Sequence, residues 1–320
     1  MSSQGEASAE WATRRERSQV PVVRFMVWLS LLLGRPLSRL VLRGIALYFL
    51  LFSPGARKAL QQFYRHLWQR PAGWGQLYRH FLSFATTIHD RVFVLNGQME
   101  LFDIRLEGRE ALEATLSRGR GLIIMGAHFG SFAMLKAFGD AHQRRAHMLM
   151  YEENASKINS ILAAINPDAP RHIIALNRVD SMLLAREKLE QGDMLGLLAD
   201  RGLDDDDVVR LPFLGEEASF PAGPLRLAAM LRCPVFFLAG VYEEGNRYRV
   251  HAVPLADFSD CPRAERGQRL QAAQQAYVAE LEAQCRAAPH NWFNFFDFWK
   301  PSPPKPVQSV PGVTAPDPRS

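Results

Sequence analysis

Gly121-Leu122-Ile123-Ile124-Met125 is a short, unbroken apolar run that passes directly into Gly126-Ala127-His128-Phe129-Gly130-Ser131-Phe132. Such a run, closed by turn residues, reads as a strand buried on both faces, and the apolar Ala133-Met134-Leu135-Lys136-Ala137-Phe138 behind it reads as a helix. His128 is thereby delivered to the carboxyl end of a strand, between small residues that let a substrate approach. Similar runs recur at 147–151, 172–176, 195–199, 235–242 and 247–254, with helix-like stretches near 109–118, 131–140, 154–165, 179–191 and 220–232. Strand, helix, strand in this order implies right-handed crossovers and an α/β fold, a largely parallel mixed sheet flanked by helices. Ligands of such sheets gather at the carboxyl ends of the strands. Glu243-Glu244-Gly245-Asn246 is a four-residue turn that predicts an antiparallel hairpin at one edge. A helical region precedes the sheet at 56–93, and one long amphipathic helix follows it at 263–288.

At 320 residues, 48% hydrophobic and 22% charged, the chain can bury a full core, which excludes disordered and collagen-like classes. Cys233, Cys261 and Cys285 form no CxxC pair, which argues against a zinc ribbon, a thioredoxin-type site or a disulfide framework and fits a reducing compartment. The formal charge is +5, but residues 1–58 hold nine Lys/Arg against three Glu, so the whole excess is N-terminal. It is interleaved there with the most apolar stretch of the chain rather than spread over the body with aromatics. That pattern points to a membrane surface and away from nucleic acid.

Between Val20 and Phe52, Arg24, Arg35, Arg39 and Arg43 cut the apolar stretch into pieces, each below the roughly 18–20 residues of a spanning helix. Gly34-Arg35-Pro36 is a helix stop. Two helices follow from it: a hairpin, a pair lying in the interface, or helices dipping in with their arginines snorkelling. A helical hairpin buried on the protein's own core is the alternative. The organisation expected is a basic polar N-terminus (1–19), a membrane-associating helical segment (20–55), an α/β domain (56–299) and a Pro-rich tail (300–320) with the composition of a disordered segment.

Gly-x-Ser-x-Gly, Walker A and Gly-x-Gly-x-x-Gly patterns are absent, as are His-x-x-x-His and His-Glu-x-x-His spacings, which removes the hydrolase-elbow, P-loop, dinucleotide and metal-helix readings. Asp204-Asp205-Asp206-Asp207 reads as a solvated turn, so neither a metal nor a cofactor is assigned.

Gly126-Ala127-His128-Phe129-Gly130-Ser131-Phe132 resembles the first block of the lysophospholipid acyltransferase superfamily, in the branch of the bacterial lipid A late acyltransferases. Met150-Tyr151-Glu152-Glu153-Asn154, Asp180-Ser181-Met182, Leu198-Ala199-Asp200-Arg201, Leu211-Pro212-Phe213-Leu214-Gly215 and Asn291-Trp292-Phe293-Asn294-Phe295 are similar to later blocks, in the right order. The resemblance implies an acyl donor on acyl carrier protein or coenzyme A, a lipid-like acceptor with a hydroxyl or amine, and a place on the cytoplasmic face of a bacterial inner membrane. It makes His128 the general base, oriented by an acid five residues on.

At that position this chain has Ala133. Without a carboxylate nothing local selects the imidazole tautomer or stabilises the imidazolium. Three explanations stay open: an acid from a neighbouring strand end (Asp200, Glu152 or Glu153), an inactive relative that still binds lipid or acyl chains, or an introduced change. A hydrolase using the same histidine on water is a third functional reading. Arg178 and Arg201 are the candidate cations for donor or acceptor phosphates and for the tetrahedral oxyanion. Gly130, Ser131, Asn154, Asp200 and Phe213 complete the expected substrate-binding set, with Ser131 as a helix N-cap and Phe213 shaping an acyl tunnel or a turn.

Overall fold

The computed structural model describes the backbone of residues 3–134, 139, 144–151, 162–163, 165–166, 172–176, 179–202 and 207–300, with side chains from residue 24 onward except at Tyr151. The strands are β1 (Asp103–Glu107), β2 (Leu122–Gly126), β3 (Ala146–Tyr151), β4 (Ile173–Leu176), β5 (Met194–Leu198), β6 (Val208–Phe213), β7 (Glu216–Pro221), β8 (Pro234–Tyr242) and β9 (Arg247–Asp257). Seven of them form one sheet in the order β1-β9-β8-β2-β5-β3-β4, and β6 and β7 form a separate hairpin. All pairings in the large sheet are parallel except β8 with β9, which form the expected antiparallel hairpin one strand in from the edge, because β1 pairs on the outer side of β9.

The central strands β2, β5 and β8 are buried almost end to end, the condition their continuous apolar composition satisfies. Alternation sends Ile123 and Met125 to one face, against α2 (Pro54–Trp68) and α7 (Arg266–Ala287), through Phe63, Tyr277 and Leu281. Leu122 and Ile124 go to the other face, against α3 (Trp74–Leu95) and α4 (Arg109–Leu116), through Phe93 and Leu112.

Two expectations need correction. The strands β1, β6 and β7 lie outside the expected set: β1, with its Asp-Ile-Arg-Leu-Glu pattern, alternates charged and apolar residues at a sheet edge, and β6 and β7 carry Arg210, Glu216 and Glu217 in a hairpin outside the large sheet. Phe220 and Pro221 belong to β7, and the following helix α6 spans Gly223–Leu231 instead of starting at 220. The turn of the β6–β7 hairpin is Leu214-Gly215, both with positive φ (53° and 89°), a conformation that Gly215 adopts freely and Leu214 does not. Most of the helix expected at 154–165 and half of that at 131–140 lie outside the described residues, as does the tail 301–320. The remaining described helix is α5 (Val179–Glu190), near its expected place.

The N-terminal helix α1 (Ser3–Phe52) is broken at Gly34 (φ 69°, ψ 171°), where the sequence stop lies. Val27, Ser30, Ser38, Leu42, Ala46 and Leu50 face the protein, while Phe25, Trp28, Leu32, Leu40, Tyr48 and Phe52 face outward. A buried hairpin does not fit: Arg24–Phe52 is long and apolar enough to cross a membrane, and only 22% of its apolar window is buried. Snorkelling does not describe Arg35 either. Its guanidinium meets the carboxylate of Asp90 on α3 through two hydrogen bonds of 2.7 Å, and Tyr248 donates to the same carboxylate at 2.8 Å.

Candidate active site

Register builds the site. β2 pairs with β5 in parallel with Gly126 opposite Leu198, so the residues two steps beyond each strand, His128 and Asp200, emerge side by side. β8 flanks β2 on its other side, which places the loop after β2 at a switch in strand order, where open parallel sheets bind ligands.

Asp200 Oδ1 lies 2.8 Å from His128 Nδ1, and Oδ2 accepts the His128 backbone N–H at 3.0 Å. The Trp292 indole N–H donates to the same Oδ2 at 3.3 Å. Asp200 is fully buried, whereas the His128 side chain is 35% exposed. Burial alone would raise the Asp200 carboxyl; the charge and hydrogen bonds of His128 and the charge of Arg201 hold it below its ordinary value. The carboxylate is therefore ionised, holds the histidine by ring and backbone together, and leaves Nε2 as the nitrogen that can take a proton.

The loop is fixed by backbone contacts. Gly130 N–H donates to the Asn291 carbonyl and Ser131 N–H to the Gly240 carbonyl, each at 2.7 Å. A Cβ on Gly130 would lie 2.0 Å from the Gly240 oxygen, and its φ of +58° disfavours other residues, so glycine is required there. With the amides of residues 128, 130 and 131 all engaged, they do not form an oxyanion hole. Arg201 is a cation beside the dyad. It donates to the Phe293 carbonyl at 2.6 Å, lies 4.9 Å from the Phe296 ring centre, and its Nε is buried without a partner among the described residues.

The other expected residues divide. Ala133 packs against the apolar cluster that contains Phe132 and Met134, on the sheet face opposite Phe129 and Trp292. Ser131 Oγ is buried with no partner among the described residues, so the side chain does not cap a helix as expected. Phe213 is fully buried behind Trp292, with ring centres 5.3 Å apart, in a cluster with Phe298 and Trp299. Asn154, Arg178, Glu152 and Glu153 lie outside the described residues.

Sequence reasoning missed the part played by Trp292 and His80. Trp292 is held by its own carbonyl, 3.0 Å from His80 Nε2, while His80 Nδ1 lies 2.9 Å from the Tyr64 hydroxyl. Burial, aided by the charge of His290, pushes the His80 imidazolium down to about 3, so this ring is neutral and serves as a fixed bridge. The dense aromatics at 291–299 were the available signal, but nothing in them points to a carboxylate.

Residues 80–301 match the family described as bacterial lipid A biosynthesis acyltransferase. No curated protein matches the chain.

Proposed function

We propose, from the premise that the chain belongs to the bacterial lipid A biosynthesis acyltransferase family, that it transfers a fatty acyl group from a thioester on acyl carrier protein or coenzyme A to a hydroxyl or amine of a lipid-like acceptor. The observation that carries this reading is the His128–Asp200 contact at 2.8 Å, with the acid sealed from water and the imidazole open to it.

His128 Nε2 takes the proton of the acceptor O–H or N–H as the oxygen or nitrogen attacks the thioester carbonyl. Asp200 stays ionised and stabilises the imidazolium, and base catalysis of this kind contributes about 10²- to 10⁴-fold. Arg201 offsets the developing oxyanion charge. Collapse of the tetrahedral intermediate breaks the carbon–sulfur bond, and the imidazolium proton passes to the leaving thiolate. Water entering in place of the acceptor gives the hydrolytic side reaction.

An impaired acyltransferase-like binder remains the alternative raised by Ala133. The Asp200 contact favours activity over that reading, because it supplies from β5 the carboxylate that Ala133 lacks. The outward apolar face of α1 favours a place at the cytoplasmic face of an inner membrane, where acceptor lipid and soluble donor meet. The assay is label transfer from long-chain acyl carrier protein and from acyl coenzyme A into a bacterial lipid extract. Labelled lipid is expected from the parent chain, with a loss of at least about 10²-fold in His128→Ala. Equal labelling by the two proteins refutes His128 as the base.

A further inference from the structure

A cavity of about 640 Å³ opens between α1, α3, the turn after β8 and residues 287–291, with Arg39, Arg43 and Arg79 on its walls. Its positive charge is incompletely matched. Arg249 is bound to Glu243 at 2.7 Å and to Glu107 at 3.1 Å, and Arg39 lies 3.6 Å from Asp90 and donates to the Gly245 carbonyl. Arg43 and Arg79 have no carboxylate partner among the described residues, and the exposed Glu244 is the remaining acid on the rim.

Three polar atoms of the wall residues are also unsatisfied among the described residues. Ser83, 6% exposed, has no partner for its Oγ, and Arg39 Nε and His290 Nε2 are buried without one. Burial and the charge of Arg79 lower the His290 imidazolium below its ordinary value, so the ring is neutral and can present an N–H to an anion. Buried polar groups nearly always find partners, and three such orphans on wall residues of one cavity, beside two guanidinia without a carboxylate partner among the described residues, mark it as the place of a ligand. A carboxylate offers only two oxygens to so many donors. A phosphate ester offers more, in the geometry guanidinia bind best.

Arg43 stands on α1 among the outward-facing Leu40, Leu47 and Tyr48, so alkyl chains laid along this helix would bring a lipid's phosphate to the cavity mouth. We propose that this cavity is a phosphate-ester site at the level of the bilayer headgroups, filled by the phosphate of a membrane lipid and separate from the His128–Asp200 dyad. The assignment does not depend on acyl transfer.

The test follows thermal unfolding of the full chain in phosphate-free neutral detergent at constant ionic strength, titrated with inorganic phosphate, phosphatidylglycerol or a neutral diacylglycerol. Phosphate and phosphatidylglycerol should each raise Tm by mass action, the neutral lipid should not, and the double variant Arg43→Gln/Arg79→Gln should need about tenfold more of each ligand. Because both arginines are exposed, the variant keeps its fold; Ser83→Ala is the independent check and should weaken the response in the same direction. Equal midpoints in parent and double variant, or a response to inorganic phosphate but none to phosphatidylglycerol, overturns the proposal. His128→Ala should respond as the parent does, so a failed transferase reading and a failed lipid site give different results. The source is read from acyl transfer to acceptor with and without its phosphate. A rise in KM confined to the phosphorylated acceptor in the double variant identifies the acceptor's own phosphate, while equal KM values that fall as phosphatidylglycerol is added identify a bulk lipid.

Discussion

Asp200 takes three hydrogen bonds in a place that water does not reach, and two come from the residue it orients. An ionised carboxylate so buried persists only with such partners, and removing the charge leaves the imidazolium unsupported. Asp200→Asn should therefore lower kcat by about 10²- to 10⁴-fold with a smaller change in KM, read from initial rates of labelled lipid formation. Ala133→Glu should not raise activity, because Nδ1 already has its acid and residue 133 packs on the opposite, apolar face. A gain of about 10²-fold in that variant would show that Asp200 is not the working partner. The pH sign follows from the depressed carboxyl, which burial opposes and His128 and Arg201 maintain. The Asp200 contribution to stability is present above the unfolded carboxyl value near 3.9 and lost as pH falls through the lower folded value.

The arginines of α1 show what an element's sequence leaves open. Arg35, Arg39 and Arg43 interrupt an apolar run, a pattern that points to a membrane interface and leaves packing on the protein's own core as the alternative. The Gly34 break is legible because a helix stop is a local, backbone property. The direction of Arg35 depends on Asp90, 55 positions away, and no local signal announces that pairing. The ion pair is bidentate, its acid is fully buried, and it ties α1 to the body. Asp90→Ala should cost about 3–5 kcal/mol because Arg35 is left without its counter-charge, measured as a lower urea midpoint in detergent. A loss below about 1 kcal/mol would mean that the pair behaves as a surface one.

For the whole molecule, the sheet's carboxyl edge carries the dyad, and α1 lies against α3 with an apolar face turned outward. An apolar face so exposed along one helix marks an interaction surface. Leu40→Glu with Leu47→Glu should move the chain from the membrane to the soluble fraction and leave acylation of detergent-dispersed acceptor intact. Membrane retention in that variant would assign the apolar face to another partner. The parallel sheet, the antiparallel β8–β9 hairpin, the break at Gly34 and the delivery of His128 to a strand end were legible in the residues alone, because apolar period and turn chemistry are local, whereas the covering of that hairpin by β1 was not. The sequence also raised Asp200 as one of three substitute acids without choosing among them. Only the tertiary structure brings Asp200 to His128, because that contact rests on β2 and β5 being neighbours in register, which joins residues 72 positions apart. The same holds for Trp292 and for the cavity arginines, whose partners, or lack of them, exist only once distant segments are packed.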